Sequence, residues 1–429
     1  MIPDPDEPAP PEGFTGAASA VAGGIDCDPA VDRRGDTIGI VTPQYACRHD
    51  GGLYVHTSTG RVVDGLASRY DAAILCLPLV TGPPDTSRDY RITASNLDVI
   101  PQPAYGSIVG ALRHVAGISV AYLRVARRAD VLFARGLFPY AAVLYAAARI
   151  HHCAICHWIV GDPIALLGTH TRVGRVKDLA AATYARLDRL LCRVGRRLAH
   201  GTFLCNGAAV AEAYDSPRTV VTVSSTVRDD EFFERLDTCE GDVVRILFLG
   251  FIRPEKGVEY LIEAVARLRM RRPWELVLAG PREPWVAYCA RLDDRIEQLG
   301  VRDRVRWRGY VRHGPDMLRV LRDADVFAFP TLSEGTPHVL VEARSNGLPV
   351  VATSVGGIPT MVADGWDGLL VPPKDPDALA RAIDRVVEDG ALRRRLIEHG
   401  LRVSRGMTLD RFLEQAVDIL EHGPRVGRA

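Results

Sequence analysis

The stretch Pro330-Thr-Leu-Ser-Glu-Gly-Thr-Pro-His-Val-Leu-Val-Glu-Ala343 decides the fold of this chain. It follows the apolar run Val326-Phe-Ala-Phe329, which is typical of a strand buried on both faces of a parallel sheet. A strand, a short polar loop and a helix in this order form the repeating unit of an α/β fold. Glu334 is therefore expected on the loop at the carboxyl end of a strand, and Glu342 on the next helix.

The start of that helix is predicted to bind an anion. Thr336 suits the N-cap and Pro337 the first helical position, while Gly347 ends the helix about three turns later. Backbone N–H groups at a helix start carry roughly half a unit of positive charge. The residues expected to supply them are Gly335, Thr336, His338 and Val339. Carboxylates beside such a site indicate a phosphate flanked by sugar hydroxyls, as in a nucleotide sugar, because carboxylates accept hydrogen bonds from hydroxyls.

Short apolar runs alternate with helical patterns along the whole chain, which predicts two doubly wound, Rossmann-like domains with parallel sheets. The strands predicted in the first half are Thr37–Val41, Ala72–Leu77, Val131–Ala134, Ala154–Ile159, Thr202–Cys205 and Val220–Val223. Those predicted in the second half are Val244–Leu249, Glu275–Ala279, Val305–Arg308, Val326–Phe329, Val350–Ala352 and Leu369–Val371. A break near Ser224–Arg235 divides a first domain, residues 36–226, from a second, residues 227–406. Residues 1–35, acidic and rich in proline, are predicted to be a disordered tail.

Five short motifs follow one another between Phe248 and Pro373. They are Phe248-Leu-Gly-Phe-Ile-Arg-Pro-Glu-Lys-Gly257, Leu261-Ile-Glu-Ala264, the Glu334 and Glu342 pair, Pro349-Val-Val-Ala-Thr-Ser-Val-Gly-Gly-Ile-Pro359 and Gly365-Trp-Asp-Gly-Leu-Leu-Val-Pro372. In this order the motifs resemble those of the retaining glycosyltransferases of family four, which have the GT-B fold. The resemblance implies two domains that face a cleft, with the C-terminal helix of residues 407–429 completing the first domain.

The resemblance also implies roles for single residues. Lys256 matches the lysine that grips the donor diphosphate and stabilises charge on the leaving nucleotide. Glu342 matches the acid that binds the ribose hydroxyls, and Glu334 the acid that lies against the transferred sugar. Many relatives carry an arginine where this chain has Phe251, so Arg253 either supplies that second positive group or is an exposed turn residue. Close backbone approach to the donor is expected at Gly250, Gly356 and Gly357, and a plain tight turn is the alternative for the last two.

The implied activity is hexosyl transfer, with retention of configuration, from a nucleoside-diphosphate sugar to a hydroxyl acceptor in polysaccharide or glycolipid synthesis. The family works without a bound metal, and the nucleotide sugar is a co-substrate, so no cofactor is expected. Two other functions stay open. One is a nucleotide-sugar 2-epimerase of the same fold, and the other is a non-catalytic subunit that binds a nucleotide sugar.

On the acceptor and phosphate side, the candidate residues of the first domain are Gly51, Gly52, Arg135 and Asp162. The glycine pair follows the first strand and is predicted to open a helix, where glycine would let a ligand approach the helix start. Arg135 and Asp162 follow strands, at places comparable to one where the family usually has a histidine. His157 lies inside an apolar run and is expected to pack in the core.

A basic amphipathic helix is predicted for Arg172–Arg197. At 100° per residue, one face carries Arg175, Arg186, Arg189, Arg193 and Arg196, and another carries Leu187, Leu190, Leu191 and Val194. Two interpretations are open. The helix either makes a peripheral contact with an anionic membrane through Arg175–Arg197, which would suit a lipid-linked acceptor, or packs its leucines and exposes its arginines to solvent.

Composition excludes several other classes of protein. The chain has 53 basic and 53 acidic residues, which argues against a nucleic-acid binder. No apolar run is long enough to predict a transmembrane helix, and the acidic start is unlike a signal peptide. Cys153-x-x-Cys156 lies in an apolar run without a second pair, so no metal site is expected. The nine cysteines are expected to be small buried residues in a reducing cytoplasm, where the protein could also lie on the cytoplasmic face of the membrane.

Overall fold

The computed structural model describes residues 34–106, 108–161, 175–214 and 218–423. They form two compact units. One runs to Thr226 and resumes at Leu409, and the other spans Val227–Thr408. Each of the twelve predicted strands is present, and several extend further than predicted. Of the predicted tail, residues 1–33 lie outside the described residues, and the first strand already begins at Arg34.

The first unit is built on a ten-stranded sheet. Its strands are β1 (Arg34–Val41), β2 (Ala46–His49), β3 (Gly52–Val55), β4 (Tyr70–Thr81), β5 (Tyr90–Arg91), β6 (Leu97–Gln102), β7 (Val131–Arg135), β8 (Ala154–Ile159), β9 (Thr202–Asn206) and β10 (Thr219–Thr222). The order is β10-β9-β8-β7-β1-β4-β2-β3-β5, and β6 also pairs with β4. All pairs are parallel except those of β3 with β2 and β5. The chain thus leaves β1 toward one edge of the sheet and β7 toward the other.

Helices bury both faces of this sheet. They are α1 (Thr57–Ala67), α2 (Ile108–Ala111), α3 (Val115–Arg128), α4 (Ala141–Ile150), α5 (Arg175–Leu198) and α6 (Ala208–Tyr214). Helices α3 to α6 contribute to one core cluster, which contains Tyr122, Tyr145 and Tyr214. Helix α1 and the C-terminal helix Leu409–His422 contribute to the other. Coverage on both faces explains why the central strands are almost wholly apolar.

The C-terminal helix packs on the first unit rather than on the unit that precedes it in the chain. The Phe412 ring lies 4.5 Å from the Trp158 ring and 6.4 Å from the Phe133 ring, between centroids. The hydroxyl of Thr222 donates a hydrogen bond to the Gln415 side chain at 2.8 Å. Burial of an aromatic side chain of this size supplies a large apolar contribution to the free energy of unfolding.

The prediction that Gly51-Gly52 opens a helix is wrong. Residues Asp50 and Gly51 form a two-residue turn between β2 and β3, with φ values of 44° and 70°. Positive φ at both central residues defines a type I′ hairpin turn, for which Asp-Gly is a preferred sequence. Helix α1 begins only at Thr57, after the second hairpin strand. The glycine pair therefore serves the hairpin and lies away from the helix start.

The second unit contains a six-stranded sheet, all of whose strand pairs are parallel. Its strands are β11 (Val244–Leu249), β12 (Trp274–Ala279), β13 (Val305–Gly309), β14 (Val326–Phe329), β15 (Val350–Thr353) and β16 (Leu369–Val371). Its helices are α7 (Val258–Val265), α8 (Val286–Gln298), α9 (Pro315–Arg322), α10 (His338–Ser345), α11 (Pro376–Glu388) and α12 (Gly390–Ser404). The strand order is β13-β12-β11-β14-β15-β16, a doubly wound sheet whose order reverses between β11 and β14.

Candidate functional site

The strand order of the second sheet creates a ligand crevice at the carboxyl ends of β11 and β14. The chain leaves β11 toward β12 and β14 toward β15, so the two loops diverge at this edge. Ligands of open α/β sheets bind at such a point. Lys256 lies on the loop after β11 and Glu334 on the loop after β14, and the two side chains meet although they are 78 positions apart in the chain.

Backbone contacts hold these two loops together. The Leu332 N–H donates to the Glu255 carbonyl at 2.8 Å. Gly257 comes so close that a β-carbon at this position would lie 2.3 Å from the Pro330 carbonyl oxygen, and its φ is 61°. Only glycine fits this approach and this conformation. The distance between the two charged side chains is therefore set by the backbone and not by their own flexibility.

Lys256 and Glu334 form an ion pair in which each side chain is only 12% exposed. The Lys256 ammonium also lies 5.2 Å from the centre of the Phe329 ring, within the range of a cation–π contact. Glu334 Oε1 accepts a second hydrogen bond from the Thr331 hydroxyl at 3.1 Å. An ammonium has three N–H donors. Lys256 is thus held in place while keeping donors for a further oxygen ligand.

Arg253 and Gly250 lie on the same loop as Lys256. Arg253 precedes the 3₁₀ turn Pro254–Lys256, and its side chain is 43% exposed. Its Nε lies 3.9 Å from Glu255 Oε2, which is too long for a hydrogen bond. Gly250 directly follows β11, and its N–H donates to the Ala279 carbonyl at 2.9 Å. The phosphate-binding role of Arg253 stays a prediction, because the side chain shares the edge with Lys256 without touching its ion pair.

Glu342 lies on α10 and is 7% exposed. Its Oε1 lies 3.6 Å from His313 Nε2, and the His313 side chain is also largely buried. A buried carboxylate is costly without a partner, and His313 lies beside this one. Sequence reasoning missed this histidine, because nothing in the chain around it marks a contact with α10.

Helix α10 begins one residue later than predicted and ends before Gly347, as predicted. Pro337 is the N-cap and not the first helical residue, and no side chain caps this helix start. The helix ends at Ser345, because the side chains of Ser345 and Asn346 donate to the Glu342 carbonyl at 3.0 and 2.9 Å. Such side-chain bonds replace the backbone bonds that would continue a helix.

Gly356 and Gly357 lie against the loop that carries Glu334. A β-carbon at Gly356 would lie 1.9 Å from the Glu334 carbonyl oxygen, and one at Gly357 would lie 2.2 Å from the Gly335 carbonyl oxygen. The Gly357 N–H donates to the Glu334 carbonyl at 3.4 Å. Close approach is therefore needed between two segments of the protein itself. The glycine pair positions Glu334 from the side of β15.

A buried ion pair anchors α10, and the sequence did not reveal it. Arg344 Nη1 donates to Asp367 Oδ2 and to the Met361 carbonyl, both at 2.7 Å, and neither charged side chain is exposed. Asp367 belongs to the motif Gly365–Pro372, so this motif serves to anchor the helix that carries Glu342. Removing one member of such a buried pair costs about 3–5 kcal/mol.

In the first unit, the structure describes three of the four remaining candidates. Gly51 and Gly52 lie in the β2–β3 hairpin, and Asp162 lies outside the described residues. Arg135 ends β7 and is buried against the first turn of α1. His157 is packed in the core, where its ring nitrogens contact the Tyr145 hydroxyl and the Gly136 carbonyl, each at 2.7 Å. Burial lowers the pKa of His157 to about 4.

The structure contradicts the interpretation in which helix α5 packs its leucines against the protein. Its packed face consists of small and polar residues, namely Ala185, Asp188, Cys192 and Arg196. Burial raises the pKa of Asp188 to about 6. The apolar side chains point to solvent instead, with exposures between 42% and 64% for Leu187, Leu190, Leu191, Val194 and Leu198. Arg186 and Arg197 are exposed beside them. From residue 182 onward, the outer surface of this helix is therefore mainly apolar, with two exposed arginines beside the apolar side chains.

Among the residues that the structure describes, no cluster of three or more His, Cys, Asp or Glu side chains is placed to hold a metal ion. None of the helices among these residues is long and apolar enough to cross a membrane. The eight cysteines in the described ranges are all buried and free of disulfides.

The second unit matches a known protein family. Residues 231–403 match the family model "Glycosyl transferases group 1". An uncharacterized glycosyltransferase of Methanocaldococcus jannaschii is 32% identical over 188 residues, which is 44% of this chain and 47% of that protein. A D-inositol 3-phosphate glycosyltransferase of Salinispora tropica is 35% identical over 191 residues, 43% of this chain and 39% of that protein. The chain thus spans less than half the length of these curated relatives.

Both units together match solved structures in fold. Anabaena HepE in complex with UDP-glucose superposes with a TM-score of 0.63 at 18% identity, covering 90% of this chain and 100% of HepE. The two parallel-sheet units thus have the GT-B fold.

Proposed function

We propose that this protein moves a sugar from a nucleoside-diphosphate sugar to a hydroxyl group of an acceptor, because residues 231–403 match the family model "Glycosyl transferases group 1". The observation that carries the proposal is the nearly buried pair of Lys256 and Glu334 at the switch point of the second sheet. HepE, which shares the fold and is 18% identical to this chain, was solved in complex with UDP-glucose. The donor class is therefore proposed here, and its base and sugar are left to experiment.

In the proposed complex, Lys256 binds the diphosphate and Glu334 faces the sugar. The Lys256 ammonium contacts Glu334, four residues before the start of α10, so the ammonium and the helix start would act on the same diphosphate. Negative charge grows on the diphosphate as the bond to the sugar breaks, and a positioned ammonium stabilises that charge more in the transition state than in the ground state. Glu334 would accept hydrogen bonds from sugar hydroxyls and offset positive charge at the anomeric carbon.

The ribose is assigned to Glu342. Its carboxylate is buried on the first two turns of the helix whose start binds the phosphates. Two vicinal hydroxyls can donate to one carboxylate, while His313 at 3.6 Å keeps the acid paired on its other side. The arrangement would bind the nucleoside without contributing to bond breaking.

We expect transfer with retention and without a resident metal. The bond from the anomeric carbon to the phosphate oxygen breaks, and a bond to the acceptor oxygen forms on the same face of the sugar. The leaving phosphate takes the acceptor proton, so no side-chain nucleophile is needed. Lys256 supplies charge stabilisation that a metal supplies in other enzymes. Turnover that is unaffected by EDTA would agree with this mechanism, and loss of turnover that is restored by Mg²⁺ would contradict it.

Two alternatives make different products. A 2-epimerase would release an epimer of the donor sugar without an acceptor, and it needs acid and base groups at the sugar. A binding subunit would hold the donor and release nothing. The ion pair between Lys256 and Glu334 argues for chemistry, since a binding subunit would have no reason to keep two opposite charges nearly buried at the sugar end of the site.

The deciding experiment measures release of nucleoside diphosphate from UDP-, GDP- and ADP-sugars, with and without crude lipid acceptor. Wild type is compared with Glu334→Gln, which keeps the shape of the side chain and removes its charge. Release from one donor that is lost in the variant supports transfer. Conversion to an epimer selects the second candidate, and donor binding without release in any mixture selects the third.

We further propose that the acceptor is lipid-linked or membrane-adjacent, because α5 presents exposed leucines beside exposed arginines. Such a surface suits an anionic bilayer: the leucines enter the headgroup region, and each arginine near the surface adds about 1 kcal/mol to the binding free energy.

The test is flotation with phosphatidylglycerol and with phosphatidylcholine vesicles. The double variant Leu187→Gln/Leu191→Gln should lose binding to anionic vesicles. The control Leu236→Gln, at an 88% exposed leucine of the second unit, should keep it. If both variants bind anionic vesicles equally well, α5 is not the surface that contacts the membrane.

A further inference from the structure

Helix α3 has one face that no other described residue covers. Val120 and Leu123 are 44% and 40% exposed, and Arg124 and Arg127 are exposed beside them. At about 100° per residue, these four side chains lie within about 100° of one another around the helix. They form a single surface, the α3 face, in which apolar side chains lie next to basic ones.

The α3 face carries positive charge without a compensating acid. No Asp or Glu occurs in residues 108–129. Among the described residues, no carboxylate forms an ion pair with Arg124 or Arg127, whereas the neighbouring Arg128 pairs with Asp98 at 2.5 Å. Charges across an interface are arranged so that opposite signs meet. The α3 face therefore fits an acidic partner that also has apolar side chains.

The segment that precedes β1 has this chemistry. In residues 1–33, Arg33 is the single Lys or Arg, and there are seven acids: Asp4, Asp6, Glu7, Glu12, Asp26, Asp28 and Asp32. Phe14 and Ile25 are among its apolar side chains. Three longer segments lie outside the described residues, 1–33, 162–174 and 424–429, and only the first has a surplus of acids. Opposite charge thus selects residues 1–33 as the occupant.

The structure places the attachment point of this segment at the end of α3. Strand β1 begins at Arg34. The Thr37 N–H donates to Asp130 Oδ2 at 2.8 Å, and the Asp130 N–H donates to the Thr37 carbonyl at 2.9 Å. Asp130 lies two residues beyond the last residue of α3, and Arg127 lies about one helical turn before it. The chain therefore enters the first sheet beside the basic end of the α3 face.

The spacing of the acids matches the length of the face. Asp26 lies eight residues before Arg34, and eight extended residues span at most about 29 Å. The fourteen residues of α3 are about 21 Å long, so the three acids nearest to Arg34 can reach both exposed arginines. Phe14 lies twenty residues before Arg34 and can therefore reach Val120 and Leu123.

We propose that the acidic segment of residues 1–33 binds the α3 face of its own chain and thereby opposes docking on an anionic membrane. The three acids nearest to Arg34 would pair with the two arginines, and Phe14 would cover the apolar side chains. Exposed ion pairs are individually weak. Attachment to the same chain, however, gives an effective concentration on the order of millimolar.

The effect on membrane contact follows from the position of α3. Helices α3 and α5 contribute to the same core cluster, on one face of the first sheet. A bound acidic segment would lower the positive charge that this side of the unit offers to an anionic bilayer. This consequence rests on the membrane contact proposed above for α5, whereas the binding of the segment to α3 does not.

The binding is tested with a nitroxide label on Cys27, which lies between two of the acids. The other eight cysteines are buried, so a thiol reagent is expected to label Cys27 in the full native chain. Electron paramagnetic resonance at low salt should show a slowly moving component. We expect Arg124→Gln/Arg127→Gln to reduce this component at least threefold, and 0.5 M NaCl to do the same by screening the charges. The matched control Arg381→Gln/Arg385→Gln, at two exposed arginines of α11, should leave it unchanged.

A second variant changes the segment and not the helix. Phe14→Ser keeps every charge and should also reduce the slow component. A slow component of equal size in wild type and Arg124→Gln/Arg127→Gln would overturn the proposal. A wild-type spectrum without any slow component would overturn it as well.

The membrane arm uses the same label. Phosphatidylglycerol vesicles should convert the slow component into a fast one, and phosphatidylcholine vesicles should not. Unlabelled Phe14→Ser, whose net charge equals that of wild type, should float with phosphatidylglycerol vesicles at a lipid concentration at least twofold lower. An unchanged lipid requirement, or a slow component that persists on bound vesicles, would overturn the opposition to membrane docking. Nucleoside-diphosphate release is measured without lipid, so failure of the transfer function is distinguishable from failure of this contact.

Discussion

The pair of Lys256 and Glu334 allows a double-mutant cycle that separates stability from catalysis. Lys256→Met keeps the aliphatic stem beside the Phe329 ring and removes the charge, and Glu334→Gln keeps the shape of the acid. Each single variant leaves one charge almost buried, with the Thr331 hydroxyl as the remaining partner of Glu334. The double variant removes both charges and leaves no unpaired ion.

The expected loss of stability follows from the burial of the pair. Exposed ion pairs contribute about 0.2–1 kcal/mol, whereas breaking a buried one costs about 3–5 kcal/mol. At 12% exposure this pair lies between the two cases. We expect each single variant to lower the free energy of unfolding by about 1–3 kcal/mol. The double variant should be less destabilised than the sum of the two, with a coupling energy of about 1–2 kcal/mol.

Catalysis should behave differently from stability. Loss of one transition-state charge stabiliser lowers kcat/KM by roughly 10²-fold or more. Since that stabilisation acts on the substrate and not on Glu334, the favourable coupling expected in the free energy of unfolding should not appear in kcat/KM. Urea unfolding gives the first quantity and nucleoside-diphosphate release the second. Lys374→Met, at an exposed lysine of the same unit, is the control for the substitution itself.

Two results would refute this reasoning. Near-normal kcat/KM in Lys256→Met would remove the ammonium from the mechanism. A higher kcat/KM in the double variant than in Lys256→Met alone would show that the pair only holds the two loops together.

Three other measurements test the remaining assignments. Glu342→Ala should weaken donor binding by about 1.5–3 kcal/mol, the scale of lost charged hydrogen bonds, and should change kcat less. An unchanged donor affinity in calorimetry would contradict the ribose assignment. Gly356→Ala should lower kcat/KM, because a β-carbon 1.9 Å from the Glu334 carbonyl oxygen must displace that loop, whereas Gly241→Ala meets no atom within 4 Å and should be silent. Burial raises the pKa of Asp188 to about 6, so the ionised acid destabilises the folded wild type above that pH. The free energy of unfolding of Asp188→Asn, minus that of wild type, should therefore be about 2–3 kcal/mol larger at pH 8 than at pH 4. A difference in urea unfolding that does not change with pH would contradict this expectation.

Local sequence signals predicted the elements of this fold because they act within a few residues. The apolar run Val326–Phe329 and the motif glycine Gly347 marked β14 and the end of α10, and the structure has both. The same kind of signal was present and misinterpreted at Asp50-Gly51, where a hairpin dipeptide preceded alternating residues. The start of α10 was displaced by one residue, since proline is compatible with both the N-cap and the first helical position.

The amino-acid sequence by itself determined the α/β class, the two sheets and the second-unit residues that gather at one edge. Periodicity, capping signals and the succession of strands and helices along the chain are all properties of neighbouring residues. Only the tertiary structure decided that His313 lies beside Glu342, that Arg344 pairs with Asp367, that the leucines of α5 point outward and that Arg135 is buried without an anion. Each of these depends on which distant segment covers a side chain. Burial and long-range pairing set the free energy of a charge, and no pattern along the chain encodes them directly.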